Sequence, residues 1–114
     1  MASVNMASGL TAGVYTSDGV ACTNGYSVIP VSWTGLNGYP ELVVEQSIDN
    51  SDYYPAMVAD DIGYLRPIKL RMIDTAGKEM LTVDGVKGDT PYTRVVIYGG
   101  DCDEGVITFE NNIG

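Results

Sequence analysis

The sequence predicts an all-β domain of two packed antiparallel sheets. Apolar residues recur at every second position in short runs, turn-forming residues interrupt the runs about every 8 to 12 positions, and no segment keeps apolar residues at helical spacing for three turns. At 114 residues the chain forms one domain. It is long enough to bury roughly 60 to 70% of its unfolded surface in a single core, without a metal or disulfide staple. An apolar fraction of 45% with 18% charged residues is that of a globular protein rather than a disordered tail.

Taken in order, Met1 to Gly13 is mostly small residues with few large apolar ones. It reads either as an extended N-terminal arm or as an edge strand packed along the domain formed by residues 14–114. Val14 to Thr16 and Val20 to Thr23 flank Ser17-Asp18-Gly19, a hairpin signal because glycine tolerates the positive φ of a tight turn. In Tyr26 to Thr34, Ile29, Val31 and Trp33 share one face. Pro30 lies on the other and has no N–H for a ladder, which predicts an edge or bulged strand.

Leu42, Val44, Gln46 and Ile48 share the packing face of the next strand, with Glu41, Val43 and Glu45 towards water. Asp49-Asn50-Ser51-Asp52 ends it. Ile68, Leu70 and Met72 alternate with Lys69 and Arg71 up to the turn at Asp74-Thr75-Ala76-Gly77, and Leu81 and Val83 continue the pattern to Asp84-Gly85. Thr93, Val95 and Ile97 oppose Tyr92, Arg94, Val96 and Tyr98, after which Gly99-Gly100-Asp101 turns the chain into Val106 to Glu110. About eight strands with polar turns make a sandwich or jelly roll. The expected fold is therefore a single antiparallel β-sandwich, jelly-roll-like, with an extended N-terminal arm.

Charge restricts the partners. Six Lys and Arg against fifteen Asp and Glu leave a formal net charge of −9, which repels a phosphate backbone, so no nucleic-acid partner is expected. The acidity serves solubility, or an acidic face that docks on a basic partner. No stretch approaches the ~20 apolar residues that span a bilayer, and the start has no signal-peptide pattern, so no membrane partner is expected and the chain reads as folding in a cytosol. Cys22 and Cys102 match no C-x-x-C spacing. In a reducing compartment they read as two thiols, with a bridge clamping the ends of the sandwich as the alternative.

Without histidine there is no Ser-His-Asp or Cys-His arrangement, and zinc is set aside. Asp60-Asp61 and the group Asp101, Asp103 and Glu104 offer carboxylates of the glycosidase kind. They sit beside glycines in loops, however, where turn chemistry is the commoner role. No catalytic residue is assigned. Asp49-Asn50-Ser51-Asp52 or Asp101-Cys102-Asp103-Glu104 supplies oxygens for calcium, though without EF-hand spacing, and no cofactor is required. Trp33 joins the core with Ile29 and Val31. Tyr39, Tyr53, Tyr54 and Tyr64 lie in or beside loops and are the candidate contact residues.

Two segments carry a family resemblance. Ile29-Pro30-Val31-Ser32-Trp33-Thr34-Gly35, followed by Leu42-Val43-Val44-Glu45-Gln46-Ser47-Ile48-Asp49-Asn50, resembles the "φ-x-W-T-G … φ-x-V-x-x-S-N-D" pattern of small phage virion proteins with a discoidin-like jelly roll. Pro91-Tyr92-Thr93-Arg94-Val95-Val96-Ile97-Tyr98, then Gly105-Val106-Ile107-Thr108-Phe109, is similar to the ending of that group. The chain departs from the pattern in having Ile-Asp-Asn where Ser-Asn-Asp stands, and in an Asp49 to Asp61 loop without tryptophan.

The resemblance implies a non-enzymatic subunit of a phage particle, such as a decoration, cement or minor capsid protein. It would be folded in the host cytoplasm and located in the virion, with capsid or tail proteins, or further copies of itself, as partners. The alternative is a carbohydrate-binding module for surface glycans, since discoidin-like folds elsewhere bind glycans or lipids through loops at one end. If Tyr39, Tyr53, Tyr54 and Tyr64 share a concave loop end, sugar is favoured; a flat face favours assembly.

Overall fold

The period-two alternation folds into two antiparallel sheets whose apolar faces meet. The computed structural model describes residues 2–9, 14–21, 26–84 and 92–113. In chain order these form β1 (Ala2–Asn5), a single helical turn α1 (Met6–Gly9), β2 (Val14–Thr16), β3 (Val20–Ala21), β4 (Tyr26–Thr34), β5 (Glu41–Ser47), β6 (Tyr54–Pro55), β7 (Met57–Ala59), β8 (Leu65–Pro67), β9 (Lys69–Arg71), β10 (Gly77–Asp84), β11 (Tyr92–Tyr98), β12 (Val106–Phe109) and β13 (Asn112–Ile113). One sheet has the order β1-β12-β4-β10, with β13 continuing along β4 beyond β12. The other runs β2-β11-β5-β6, with β3 beside β2 on β11 and β9 beside β6 on β5. β7 and β8 form a separate two-stranded hairpin.

Pairing runs from the outside of the chain inwards: β1 with β12, β2 and β3 with β11, β4 with β10, β5 with β6 and β9. The chain is thus one long hairpin wound over the sandwich, with successive pairs on alternate sheets. Ile29, Val31, Trp33, Val83, Ile107 and Phe109 from one sheet and Leu42, Val44, Val95 and Ile97 from the other, with Met72 just after β9, fill one core. Tyr15 meets Phe109 edge to face across it, with ring centroids 6.0 Å apart.

Four expectations change. Pro30 does not mark an edge, because β4 is flanked by β10 on one side and by β12 and β13 on the other. In an antiparallel strand the N–H and C=O of one residue point to the same neighbour. The Pro30 carbonyl accepts the Glu110 N–H at 3.2 Å, so its missing donor also faces that side. There the ladder is open at Glu110 and Asn111, between β12 and β13. The proline costs a ladder bond where the strand is already split, and the β10 side stays intact.

Ser17-Asp18-Gly19 is not a hairpin turn. β2 and β3 both pair with β11, Thr16 opposite Val96 and Val20 opposite Thr93, so three residues stand against Arg94 and Val95, the signature of a β-bulge. Ser17 closes it: its N–H donates to the Val95 carbonyl at 2.9 Å and its hydroxyl accepts the Val95 N–H at 2.8 Å. Gly19 lies close under Tyr53 and Asn50: a Cβ there would lie 1.9 Å from the Tyr53 hydroxyl, so that side chain would have to shift.

The first residues form the edge strand rather than a free arm. β1 lies in register along β12, Val4 and Met6 are buried, Met6 fully so, and the Met6 N–H donates to the Gly105 carbonyl at 2.8 Å. Two well-placed apolar side chains suffice where β12 supplies a ladder and the core an open end. Residues 1 and 10–13 of that segment, Cys22, Thr23, Gly85 and Pro91 lie outside the described residues. Ile48, expected on the packing face of β5, is 79% exposed, because β5 ends at Ser47 and the chain bends out there.

Candidate functional site

Among the described residues, the β7–β8 hairpin groups the exposed apolar side chains of Met57, Val58, Ile62, Tyr64 and Leu65. The edge strand beside β5 is interrupted after Pro55. The Ala56 N–H donates to the Val44 carbonyl (2.9 Å), the Val44 N–H donates to the Ile68 carbonyl (3.0 Å), and the Ile68 N–H donates to the Ala56 carbonyl (2.8 Å). These bonds close the base of the excursion, with Ala56 buried and Ile68 packed against the core. Met57 to Pro67 then leaves the sheet as a two-stranded ribbon, with Met57 opposite Pro67, Val58 opposite Arg66 and Ala59 opposite Leu65.

The tip is organised by Asp60. Its N–H donates to the Tyr64 carbonyl (2.8 Å) and its carbonyl accepts the Gly63 N–H (3.0 Å). Its carboxylate accepts the N–H groups of Ile62 (3.1 Å) and Tyr64 (3.0 Å) and Nε of Arg66 (2.7 Å). Gly63 takes φ of +89°, a conformation L side chains rarely adopt. Alternation places Met57, Ala59, Leu65 and Pro67 on one face of the ribbon. Val58 and Arg66 lie on the other, with Asp60 and Tyr64 extending it. The first face is wholly apolar and exposed, Leu65 by 66%, and Ile62 at the tip is 76% exposed. A two-stranded hairpin is marginally stable alone, so its base bonds and Asp60 hold it extended.

The Arg66 guanidinium holds the Asp60 carboxyl below its ordinary 3.8; desolvation opposes this, and the backbone N–H groups of Tyr64, Ile62 and Gly63 lower it further. A carboxyl lowered on folding stabilises fully above its unfolded value, and that support is lost as pH falls through 3.8 to the lowered value. The hairpin tip is therefore expected to loosen only in acid, while the core persists. Amide spectra of residues 57–67 followed from about pH 6 to about pH 2 check this. Shifts there with a midpoint at or above 3.8 would show that Arg66 does not hold the carboxylate.

The candidate tyrosines are dispersed. Tyr39 lies at the Glu41 end of β5, exposed beside a recess also lined by Leu36, Asn37, Ile73 and Asp74. Tyr53 and Tyr54 lie at the Ser47 end, Tyr54 opposite Gln46, about 20 Å along the strand from Tyr39 at ~3.3 Å per residue. Tyr53 serves the framework: Arg94 stacks on its ring at 3.8 Å, its hydroxyl donates to Asn50 Oδ1, and burial holds its phenol above the ordinary value against the pull of Arg94. Tyr54 is exposed at the hairpin base and Tyr64 at its tip. No single concave end gathers all of them.

Around Tyr54 and Tyr64 the structure adds Met57, Val58, Ile62 and Leu65, which the sequence reading missed. The signal was the apolar run Ala56 to Ala59, then Asp60-Asp61-Ile62-Gly63 as a turn before Tyr64 to Pro67. Prolines at both ends and the lack of strict alternation concealed it.

The acidic loops are committed to turn chemistry. Asp49 Oδ1 accepts the N–H groups of Ser51 and Asp52, each at 2.9 Å, and the Ser47 hydroxyl at 2.8 Å. The Asp52 N–H, then Ser47, hold its carboxyl below the ordinary value. Asn37 ties the loop after β11 to the loop after β4: its amide nitrogen donates to the Asp103 carboxylate, and its oxygen accepts the N–H groups of Asp103 and Glu104 at 2.8 and 3.1 Å. Cys102 is buried as a free thiol that donates to the Glu104 carbonyl at 3.3 Å. Among the described residues no three His, Cys, Asp or Glu side chains gather to hold a metal, and no helix is long and apolar enough to cross a membrane.

Comparison with protein-family models, with curated proteins and with solved structures finds no match for this chain.

Proposed function

We propose that this chain is a non-enzymatic structural subunit of a phage particle, a decoration, cement or minor capsid protein, that attaches to neighbouring virion protein through the β7–β8 hairpin. The carrying observation is the extended ribbon with an exposed apolar face of Met57, Ala59, Leu65 and Pro67, the kind of surface that marks a protein contact. The virion setting rests on the resemblance of Ile29 to Asn50 and Pro91 to Phe109 to small phage virion proteins. A jelly-roll winding, inferred from the outside-in strand pairing, agrees with it. The dispersion of the tyrosines favours attachment over a sugar platform.

The test is co-sedimentation with particles of the cognate virus. Leu65→Asp places a charge on the exposed face, so the melting temperature is expected to hold while attachment falls at least about tenfold, as for a central contact residue. Attachment through an apolar face should persist from about 50 to about 500 mM salt. Undiminished attachment by the Leu65 variant would overturn the role of the hairpin. Micromolar glycan-array hits lost in Tyr54→Ala, whose side chain is exposed, would establish the carbohydrate-binding alternative.

A further inference from the structure

We propose that two copies of this chain pair edge to edge along β10, antiparallel about a two-fold axis at Met80, joining their β1-β12-β4-β10 sheets into one. This pairing does not depend on what the β7–β8 hairpin binds.

The sheet edges are treated unequally. β1 is only four residues long, the β2–β3 edge is broken by the bulge at Ser17 to Gly19, and the β6–β9 edge is split by the hairpin. Short strands, bulges and insertions are how β-proteins prevent their edges from pairing. β10 has none of these, and its protection of this kind is the charge of Lys78 and Glu79: it is eight residues long, in unbroken register with β4 from Gly77 to Asp84, and unpaired on its other side among the described residues.

Pro30 fixes what that edge presents. Its carbonyl points to Glu110, away from β10, so the opposed pair Pro30 and Met80 is not hydrogen-bonded. The Met80 N–H and C=O must therefore point to the open side, as must those of Lys78 and Thr82 at the same alternation. Such a row is a ready template for an extended strand, and its side chains fit a second copy. With Met80 against Met80, Lys78 stands opposite Thr82 and Glu79 opposite Leu81, so no like charges directly oppose each other. Frames centred on Lys78 or Glu79 would oppose identical charges, which destabilises a strand pair. The Met80 frame also sets together the exposed methionines, each 60% accessible, beside an outer-face groove of about 420 Å³ lined by Pro30, Ser32, Lys78 and Thr108. A two-fold interface of this kind is self-complementary and closes at two copies.

Sedimentation velocity of the full chain, from about 1 μM to about 1 mM, measures the association. Salt of about 0.15 M screens the repulsion between acidic copies. The expected result is a concentration-dependent dimer. Met80→Pro removes an N–H that faces away from β4, a position where an edge strand accepts proline, and is expected to leave the fold intact and the chain monomeric. Met80→Lys, which opposes two charges across the axis, should do the same should the proline variant not fold. Hydrogen-bonded antiparallel partners lie about 5.5 Å apart at Cα, within disulfide reach, so under oxidation Met80→Cys should cross-link two copies while Lys78→Cys does not. A monomer throughout the range, a dimer unaffected by folded Met80 variants, or cross-linking at Lys78→Cys instead of Met80→Cys would overturn the proposal.

Discussion

Replacing Trp33 with alanine is expected to destabilise the domain by about 3 to 5 kcal/mol, the cost of truncating a large buried aromatic side chain. Trp33 is only 6% exposed and lies on the inner face of β4 with Ile29 and Val31. Its Nε1 donates to the Asp74 carbonyl at 3.0 Å, so truncation also frees an acceptor in the turn before β10. Gly77, directly opposite in β10, gives the ring its space: a Cβ there would lie 2.4 Å from Trp33 Cζ2. Denaturant unfolding measures the loss. As the single tryptophan, Trp33 alone reports on its surroundings by fluorescence. A cost below about 1 kcal/mol, or emission at the solvent-exposed wavelength in the folded protein, would remove Trp33 from the core.

Met6→Ala is expected to cost about 2 to 5 kcal/mol, because the side chain is fully buried and its truncation leaves a cavity. Deleting residues 1–9 should cost more, since it also strips the β1 ladder from β12 and the bond from the Met6 N–H to Gly105. A truncated chain that melts with the intact protein would show that the segment is an arm after all. From the sequence, Met1 to Gly13 reads either as an extended arm, whose removal leaves the fold intact, or as an edge strand. The few large apolar residues do not decide between the two, because whether β12 is there to receive Val4 and Met6 is a matter of tertiary pairing.

The same difference separates the legible parts of the contact surface from the rest. Tyr54 and Tyr64 were visible as loop-borne aromatic residues. Their apolar companions were not, because Met57, Val58 and Leu65 resemble core residues in the sequence. That they face water follows only from the chain leaving the β5 edge at Ala56 and returning at Ile68. Tyr53 was grouped with them by position, yet Arg94, from a strand far along the chain, claims its ring.

Alternation alone shows which side chains face inwards along β4, β5 and β11. Ile29, Val31 and Trp33, Leu42 and Val44, and Thr93, Val95 and Ile97 are all buried as their alternation required, because the two-residue period is a property of the extended backbone and needs no knowledge of neighbours. Which strands are neighbours was decided only by the tertiary structure. Pro30 can occupy a central strand because Glu110 and Asn111 open the ladder beside it, and Ser17 to Gly19 form a bulge because β11 takes up the chain on both sides. Hydrogen-bonded pairing joins residues tens of positions apart, and a local pattern of apolar and polar residues is the same whether a strand ends up at the centre of a sheet or at its edge.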